Sequence, residues 1–299
     1  MFGRRPDGEK ITALDPVMRI TPYVMPTRCD SQVVMKHNTD MEKISRYIRK
    51  QKTENKISVS HMQIVIAAFV RALSHHPKIN RFVIGKTLYV RNNCSVSFTI
   101  LKKLSDPDQG EAVVKVKYDL TDTIFDVGDR MNAAIETNRE AKPVGTNKLL
   151  NFLFDVPGLP SLALGLFNVL DRFGLAPKSM IDDLPFYATM YITNTASLGL
   201  HDVVHHIYNW GNVGSFFSIG TTEKKAVLED GKLRLKSYMP ISIVVDERVC
   251  SGAHYAQFFS EWKRYLEHPE LLEIPPENVI YDEGVEYHEP KIKKEQQQD

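Results

Sequence analysis

Seven apolar residues in succession, Ile64-Val65-Ile66-Ala67-Ala68-Phe69-Val70, limit what this chain can become more than any other stretch. They lie within Ser60 to Leu73, which His75-His76-Pro77 terminates, so the pattern predicts a helix apolar nearly all round and buried on several sides. Such a helix needs a large core around it. The chain can supply one, since 299 residues at 42% hydrophobic content suffice for one large domain or two modest ones.

The neighbouring segments offer partners for that helix. Thr39 and Glu42 have capping-box spacing, and Met41, Ile44, Tyr47 and Ile48 follow at helical intervals, predicting a helix over about 40–52 with a basic outer face. β-Branched and aromatic residues dominate from Thr87 to Leu101, and Val114, Val116 and Tyr118 alternate with Lys115 and Lys117. Both stretches are expected in one sheet, against which an amphipathic helix carrying Ile124, Val127, Met131 and Ile135 would lie. Further strands are predicted at about 187–195, 214–221 and 238–246, with a turn at Glu229-Asp230-Gly231. A last helix follows Gly252, its buried stripe being Tyr255, Phe258, Phe259, Trp262, Tyr265 and Leu266.

Charge and cysteine usage exclude several classes. Lys and Arg number 38 against 37 Asp and Glu, a net charge of +1 that offers no field for nucleic acid or an anionic membrane. Cys29, Cys94 and Cys250 are odd in number and widely spaced, without a Cys-x-x-Cys pair, so neither a zinc site nor a disulfide framework is expected. With no signal-like apolar stretch in Met1 to Lys10 and no uncharged apolar run long enough to span a bilayer, the reading is a cytoplasmic protein. Two apolar bursts, Leu149 to Phe154 and Leu162 to Leu170, mark an insert at about 149–177. It is read as a helical pair on its own core or a subunit contact, with a lid or membrane-surface hairpin as the alternatives. From Pro275 the chain turns charged and Gln-rich, as a mobile or surface-draped tail would.

The stretch Ile243-Val244-Val245-Asp246-Glu247-Arg248-Val249-Cys250-Ser251-Gly252-Ala253-His254 resembles the active-site strand and loop of chloramphenicol acetyltransferases. It also resembles the acyltransferase components of 2-oxo acid dehydrogenase complexes, where His-x-x-x-Asp-Gly stands, commonly within Asp-His-Arg-x-x-Asp-Gly. Other segments follow in the family's order: Asp15-Pro16-Val17-Met18-Arg19, the buried helix with His76-Pro77-Lys78-Ile79-Asn80, Ile192 to Gly199, and His268-Pro269-Glu270-Leu271-Leu272. The resemblance implies a chloramphenicol-acetyltransferase-like α/β (α+β) fold, a two-layer sandwich with a mixed sheet and packed helices. It covers 15–273, leaving 1–14 as an N-terminal segment and 274–299 as a tail. Closest in pattern are the dihydrolipoamide acyltransferase catalytic domains, with Pro22 to Pro26 and Leu88 to Cys94 resembling a stand-alone branch that carries Asp-Glu-Arg.

In the resembled enzymes a trimer places each active site between subunits, and CoA and the acceptor enter a channel from opposite ends. A histidine takes the acceptor's proton, a loop aspartate pairs with an arginine, and a serine or threonine hydroxyl stabilises the oxyanion. Carried over by position, the base falls on Glu247, the aspartate on Ser251, and the hydroxyl on Ala196 with Thr195 and Ser197 beside it. A positioned base contributes roughly 10²–10⁴ in rate and an oxyanion donor roughly 10²–10³, so the three changes matter. Glu247 is open to two roles: a base whose pKa burial raises, or an ion-pair partner of Arg19 or Arg248. His254, three residues past Ser251, and His201, His205 and His206 keep a relocated base in view, each being in isolation more often structural. His201 and His205 lack the further ligand a metal site needs. Cys250 reads as buried packing rather than a nucleophile.

The implied function is CoA-dependent transfer of an acyl group to a small thiol, hydroxyl or amine, by a homotrimer. The alternative is a catalytically silent oligomeric scaffold or CoA-binding pseudoenzyme. A third reading, part of a dehydrogenase complex, would need its lipoyl group on another polypeptide, since no Asp-Lys-Ala-type lipoyl segment or Ala/Pro-rich linker is seen here.

Overall fold

The computed structural model describes residues 4–101, 111–140 and 155–282. Two short strands, β1 (Arg4–Arg5) and β2 (Gly8–Lys10), precede helix α1 (Pro16–Val24), strand β3 (Gln32–Asp40) and helices α2 (Met41–Lys50) and α3 (His61–His75). Strands β4 (Arg81–Ile84), β5 (Thr87–Arg91), β6 (Cys94–Leu101) and β7 (Glu111–Tyr118) lead to α4 (Ile124–Glu140). Helices α5 (Leu159–Arg172) and α6 (Lys178–Asp183) precede β8 (Met190–Asn194), β9 (Ser215–Ile219), β10 (Glu223–Glu229), the long β11 (Lys232–Asp246) and α7 (Gly252–Glu267).

Seven of the strands form a mixed sheet in the order β10-β11-β9-β8-β6-β7, with β3 on the other flank of β11. The pairs β6–β8 and β8–β9 are parallel, while β6–β7, β9–β11, β10–β11 and β3–β11 are antiparallel. Period-two alternation sends Met190, Ile192, Phe217, Ile219, Ile241 and Ile243 to one face, where they meet α3 and α7 in the main core. On the opposite face Tyr191, Phe216 and Val244 join Ile207 and Val213 in a smaller cluster.

Helix α3 forms as its sequence dictates. Ser60 Oγ accepts from the Gln63 backbone at 3.1 Å while Gln63 Oε1 accepts from the Ser60 backbone at 3.3 Å, satisfying two end groups reciprocally. The Gln63 amide also donates to Ile124 O at 2.7 Å, tying α3 to the start of α4. Only glycine fits opposite, because a Cβ on Gly128 would stand 2.3 Å from Gln63 Nε2. Ile64, Ile66, Phe69 and Leu73 are each 0% exposed, and each such burial contributes about 1.5–3 kcal/mol. All six residues of the expected α7 stripe are buried. The β10–β11 hairpin turns on Asp230 and Gly231, both at positive φ, which is the geometry a two-residue Asp-Gly loop favours.

Four expectations need correction. The cap of α2 is Asp40, whose carboxylate accepts from the Glu42 backbone at 2.9 Å, whereas Thr39 belongs to β3 and its hydroxyl is buried. The run from Thr87 to Leu101 splits: β6 pairs β7 as expected, but β5 joins a separate four-stranded sheet, β1-β2-β5-β4. That sheet takes in the N-terminal segment, with Arg5 buried against Asp7 and Asp171. The tail is docked as far as residue 282: Ile280 donates its backbone N–H to Ser74 O at 2.7 Å, and Asp282 is 2% exposed. Residues 283–299, and the first apolar burst at 149–154, lie outside the described residues. Of the rest of the insert, Phe167 and Ala176 join Ile181 and Tyr187 in a small cluster, while Leu162, Leu164, Leu166, Val169, Phe173 and Leu175 are exposed. No helix among the described residues is long and apolar enough to cross a membrane.

Candidate functional site

Strand β11 ends at Asp246, and the turn that follows carries Glu247 and Arg248. Asp246 and Arg248 are buried and joined by two side-chain bonds, Nε to Oδ1 at 2.8 Å and Nη2 to Oδ2 at 2.7 Å. Asp246 also accepts from Ser31 Oγ at 2.9 Å, with Arg28 at 4.0 Å, and the hydroxyl of Tyr255 donates to its carbonyl at 2.8 Å. Arg28 is fully engaged in turn, donating to Asn209 O and Val83 O. Burial pulls the Arg28 guanidinium down to about 10, against the opposing pull of Asp246.

Glu247, in the turn between the two buried residues, is exposed. Its backbone is pinned, N–H to Ser31 O at 2.9 Å, while its carboxylate has no polar partner among the described residues. The ion pair expected with Arg248 is not formed, because Asp246 has taken that guanidinium. Arg19, the other expected partner, is exposed on α1 and forms no ion pair among the described residues.

Ser251 and His254 are brought together at the first turn of α7, Oγ to Nδ1 at 2.7 Å. The direction of that bond follows from the ring's other side, where Lys78 Nζ stands 3.0 Å from Nε2. An ammonium only donates, so Nε2 accepts and the proton sits on Nδ1, donated to Ser251. In this state His254 is not poised to take the serine's proton. Burial first, then the cations Lys78, Arg81 and His76, hold the imidazole below its ordinary range. Serine in place of the family's aspartate thus leaves a neutral hydroxyl facing a histidine, with no ion pair to an arginine.

Thr195 and Ser197 stand elsewhere. Both lie in the 3₁₀ turn after β8, where Thr195 Oγ1 is buried and donates to Ile219 O at 2.9 Å, and Ser197 Oγ is exposed and donates to Asn194 O at 2.7 Å. Thr195 is spent on the fold, which removes it from the candidates for oxyanion stabilisation. Register measures the separation from Glu247: Asn194 pairs Ile219, Ile219 pairs Ile241, and Asp246 lies five residues farther along β11. At about 3.3 Å per residue that is about 17 Å. One chain therefore does not place Glu247 and Ser197 on the same reacting atoms.

The histidine-bearing loop is structural in its visible contacts. His201 bridges Thr221 O at 2.9 Å and Glu223 at 3.0 Å, and His205 stacks on Phe216 with ring centroids 4.5 Å apart. Burial and the adjacent His206 lower the His205 pKa. Among the described residues no group of three or more His, Cys, Asp or Glu is arranged to hold a metal ion. Cys250 is 3% exposed, and burial pushes its thiol up to about 12, far from thiolate chemistry. Lys78, Arg28 and Ser31 carried no recognisable signal in the sequence, since their partners are remote in the chain.

A mixed sheet covered on one face by helices, with its long strand delivering the Asp246–Ser251 loop to a helix start, is the fold that this chain shares with chloramphenicol acetyltransferase and dihydrolipoamide acetyltransferase structures. The family model for 2-oxoacid dehydrogenases acyltransferase (catalytic domain) matches residues 183–274, about a third of the chain, which span β8 to α7 and include Glu247.

A probable dihydrolipoamide acetyltransferase from Listeria monocytogenes 4b F2365 superposes with a TM-score of 0.54 at 16% identity, over 87% of this chain and 94% of that one. The truncated catalytic core of the 2-oxoacid dehydrogenase multienzyme complex from Thermoplasma acidophilum gives 0.53 at 16% identity, over 87% and 99%. A chloramphenicol acetyltransferase gives 0.52 at 10% identity, over 87% and 99%. The dihydrolipoyllysine-residue acetyltransferase component of the pyruvate dehydrogenase complex of Rickettsia prowazekii (strain Madrid E) is 21% identical over 228 residues, 76% of this chain and 45% of that protein. The chain thus spans less than half the length of that curated relative.

Proposed function

We propose that this protein transfers an acyl group between CoA and a small thiol, hydroxyl or amine acceptor, at a site completed by a second copy of the chain. The observation that carries this reading is the register of the sheet, which keeps the exposed Glu247 and the exposed Ser197 of one chain about 17 Å apart along the strand direction. A neighbouring copy in a homotrimer would supply the missing half.

In such a site Glu247 takes the proton from the acceptor as its heteroatom attacks the thioester carbonyl. The Ser197 hydroxyl of the second copy turns from Asn194 O to the developing oxyanion. Collapse breaks the carbon–sulfur bond, and the departing CoA thiolate recovers the proton from Glu247. Enclosure by the second copy is what would raise the carboxyl's pKa toward a useful value.

A complementation experiment tests the reading. Glu247→Gln and Ser197→Ala are each expected to lose about 10²-fold in acyl transfer. Mixed by unfolding and refolding together, they should regain activity, since about a quarter of randomly assembled shared sites carry both native groups. No regain in a proven mixed oligomer would refute the shared site. The silent-scaffold reading is favoured by one observation, that nothing among the described residues holds the Glu247 carboxylate. It predicts no turnover in the native protein under any acceptor tried.

A further inference from the structure

Between the end of α3, the Pro77–Asn80 turn and the start of α7 lies a cleft of about 180 Å³, closed by residues 280–282 of the docked tail. Glu247 does not line it. Its walls are cationic or become so on protonation, with His75, His76, Lys78 and His254 all facing the space.

The two carboxylates nearby are already committed. Glu261 accepts from His75 Nδ1 at 2.7 Å and from His76 Nε2 at 2.8 Å. Asp282 holds Arg81 by two bonds, at 2.5 and 2.7 Å. Lys78 is left over: no carboxylate lies within ion-pair reach of it among the described residues, and its half-buried ammonium meets only the His254 ring. A cation beside an imidazole, with no counter-charge, is an arrangement that an external anion would complete.

We infer that this cleft binds a small oxyanion of the phosphate class, with Lys78 as its charge partner and the adjoining His254 and His76 imidazoles becoming donors to it when they take up a proton. The depressed His254 pKa, owed to burial and then to neighbouring cations, agrees with a site built for negative charge. The volume is below the roughly 300–1,000 Å³ of pockets that enclose drug-sized ligands, so the cleft accommodates a phosphate group and leaves any larger remainder outside. The inference does not depend on acyl transfer, and its readouts need no turnover.

The experiment titrates the full-length protein with inorganic phosphate at low ionic strength, following the His254 and His76 imidazole signals by NMR. A saturable shift with a dissociation constant in the roughly millimolar range is expected, together with a rise in the His254 pKa. Lys78→Gln should weaken binding about tenfold or more, and Lys78→Arg should retain it. Two further arms locate the anion's source. Displacement of phosphate by CoA but not by dephospho-CoA would assign the site to the 3′-phosphate of the acyl donor, and displacement by neither would assign a free anion. Absence of a saturable shift at roughly 50 mM phosphate, or the same shift in a folded Lys78→Gln protein, overturns the inference.

Discussion

The ladder between β3 and β11 carries an ionisable side chain at one end and another near its middle, and the two are treated in opposite ways. At the end Asp246, paired in register with Gln32, is met by Arg248, Ser31 and the more distant Arg28. Near the middle the half-buried His37 pairs with Ile241, and its ring lies edge-on to Trp262 at 5.7 Å with no hydrogen-bond partner for either nitrogen among the described residues. Burial first, and then Lys263, drives the His37 pKa down to about 4. The carboxylate is met by donors that offset its desolvation, and the imidazole gives its charge up because it has none. The end held by these partners is the one that presents Glu247. A fixed loop there is consistent with a group that must be held in place, while the His37 position contributes packing.

The largest effect should come from breaking the paired end. Asp246→Asn strands Arg248 and Arg28 in a buried setting, and truncating one partner of such a pair costs about 3–5 kcal/mol. Urea unfolding measures it, and a cost below about 1 kcal/mol would mean the loop is held by its backbone contacts instead. The next effect separates position from stability. Glu247→Gln, one residue along, should change stability by no more than about 0.5 kcal/mol because the side chain is exposed. The same change should lower acyl transfer by about 10²-fold if the carboxylate is the base. A lowered melting temperature with unchanged turnover would reverse both assignments.

The sequence disclosed what local chemistry determines. Ser60 and Gln63 are three residues apart and the apolar run is continuous, so α3 was legible, as were the α7 stripe and the Asp230-Gly231 turn. The family resemblance likewise put Glu247, Ser251 and His254 in one region, where the structure finds them. Contacts between remote residues were not legible. Ser31 and Asp246 are 215 positions apart, and Arg81 and Asp282 are 201 apart, so a tail that reads as solvated by composition is tied down by a partner it does not announce. The split of 87–101 was marked only by Asn92-Asn93, where the chain leaves one sheet for the other. Capping moved from Thr39 to Asp40 because α2 starts at Met41, directly after Asp40, while the Thr39 hydroxyl is buried.

The smallest expected effect tests the unpartnered His37, through pH. Its folded pKa is about 4 against an ordinary 6.5, so between those values the unfolded chain binds the proton more readily. Stability from the neutral, half-buried ring is therefore fully present above pH 6.5 and is lost as pH falls toward 4. His61, His205 and His254 are also lowered, chiefly by burial, and they bend the whole curve in the same direction. The contribution of His37 is thus read as a difference between proteins. His37→Leu keeps an apolar contact for Trp262 and removes the titration, so its stability should fall less than wild type's over that interval while the two curves run parallel above it. Denaturant midpoints taken across the range decide the matter. Parallel curves throughout would show that the ring is already protonated or solvated when folded, and the contrast within the ladder would then rest on Asp246 alone.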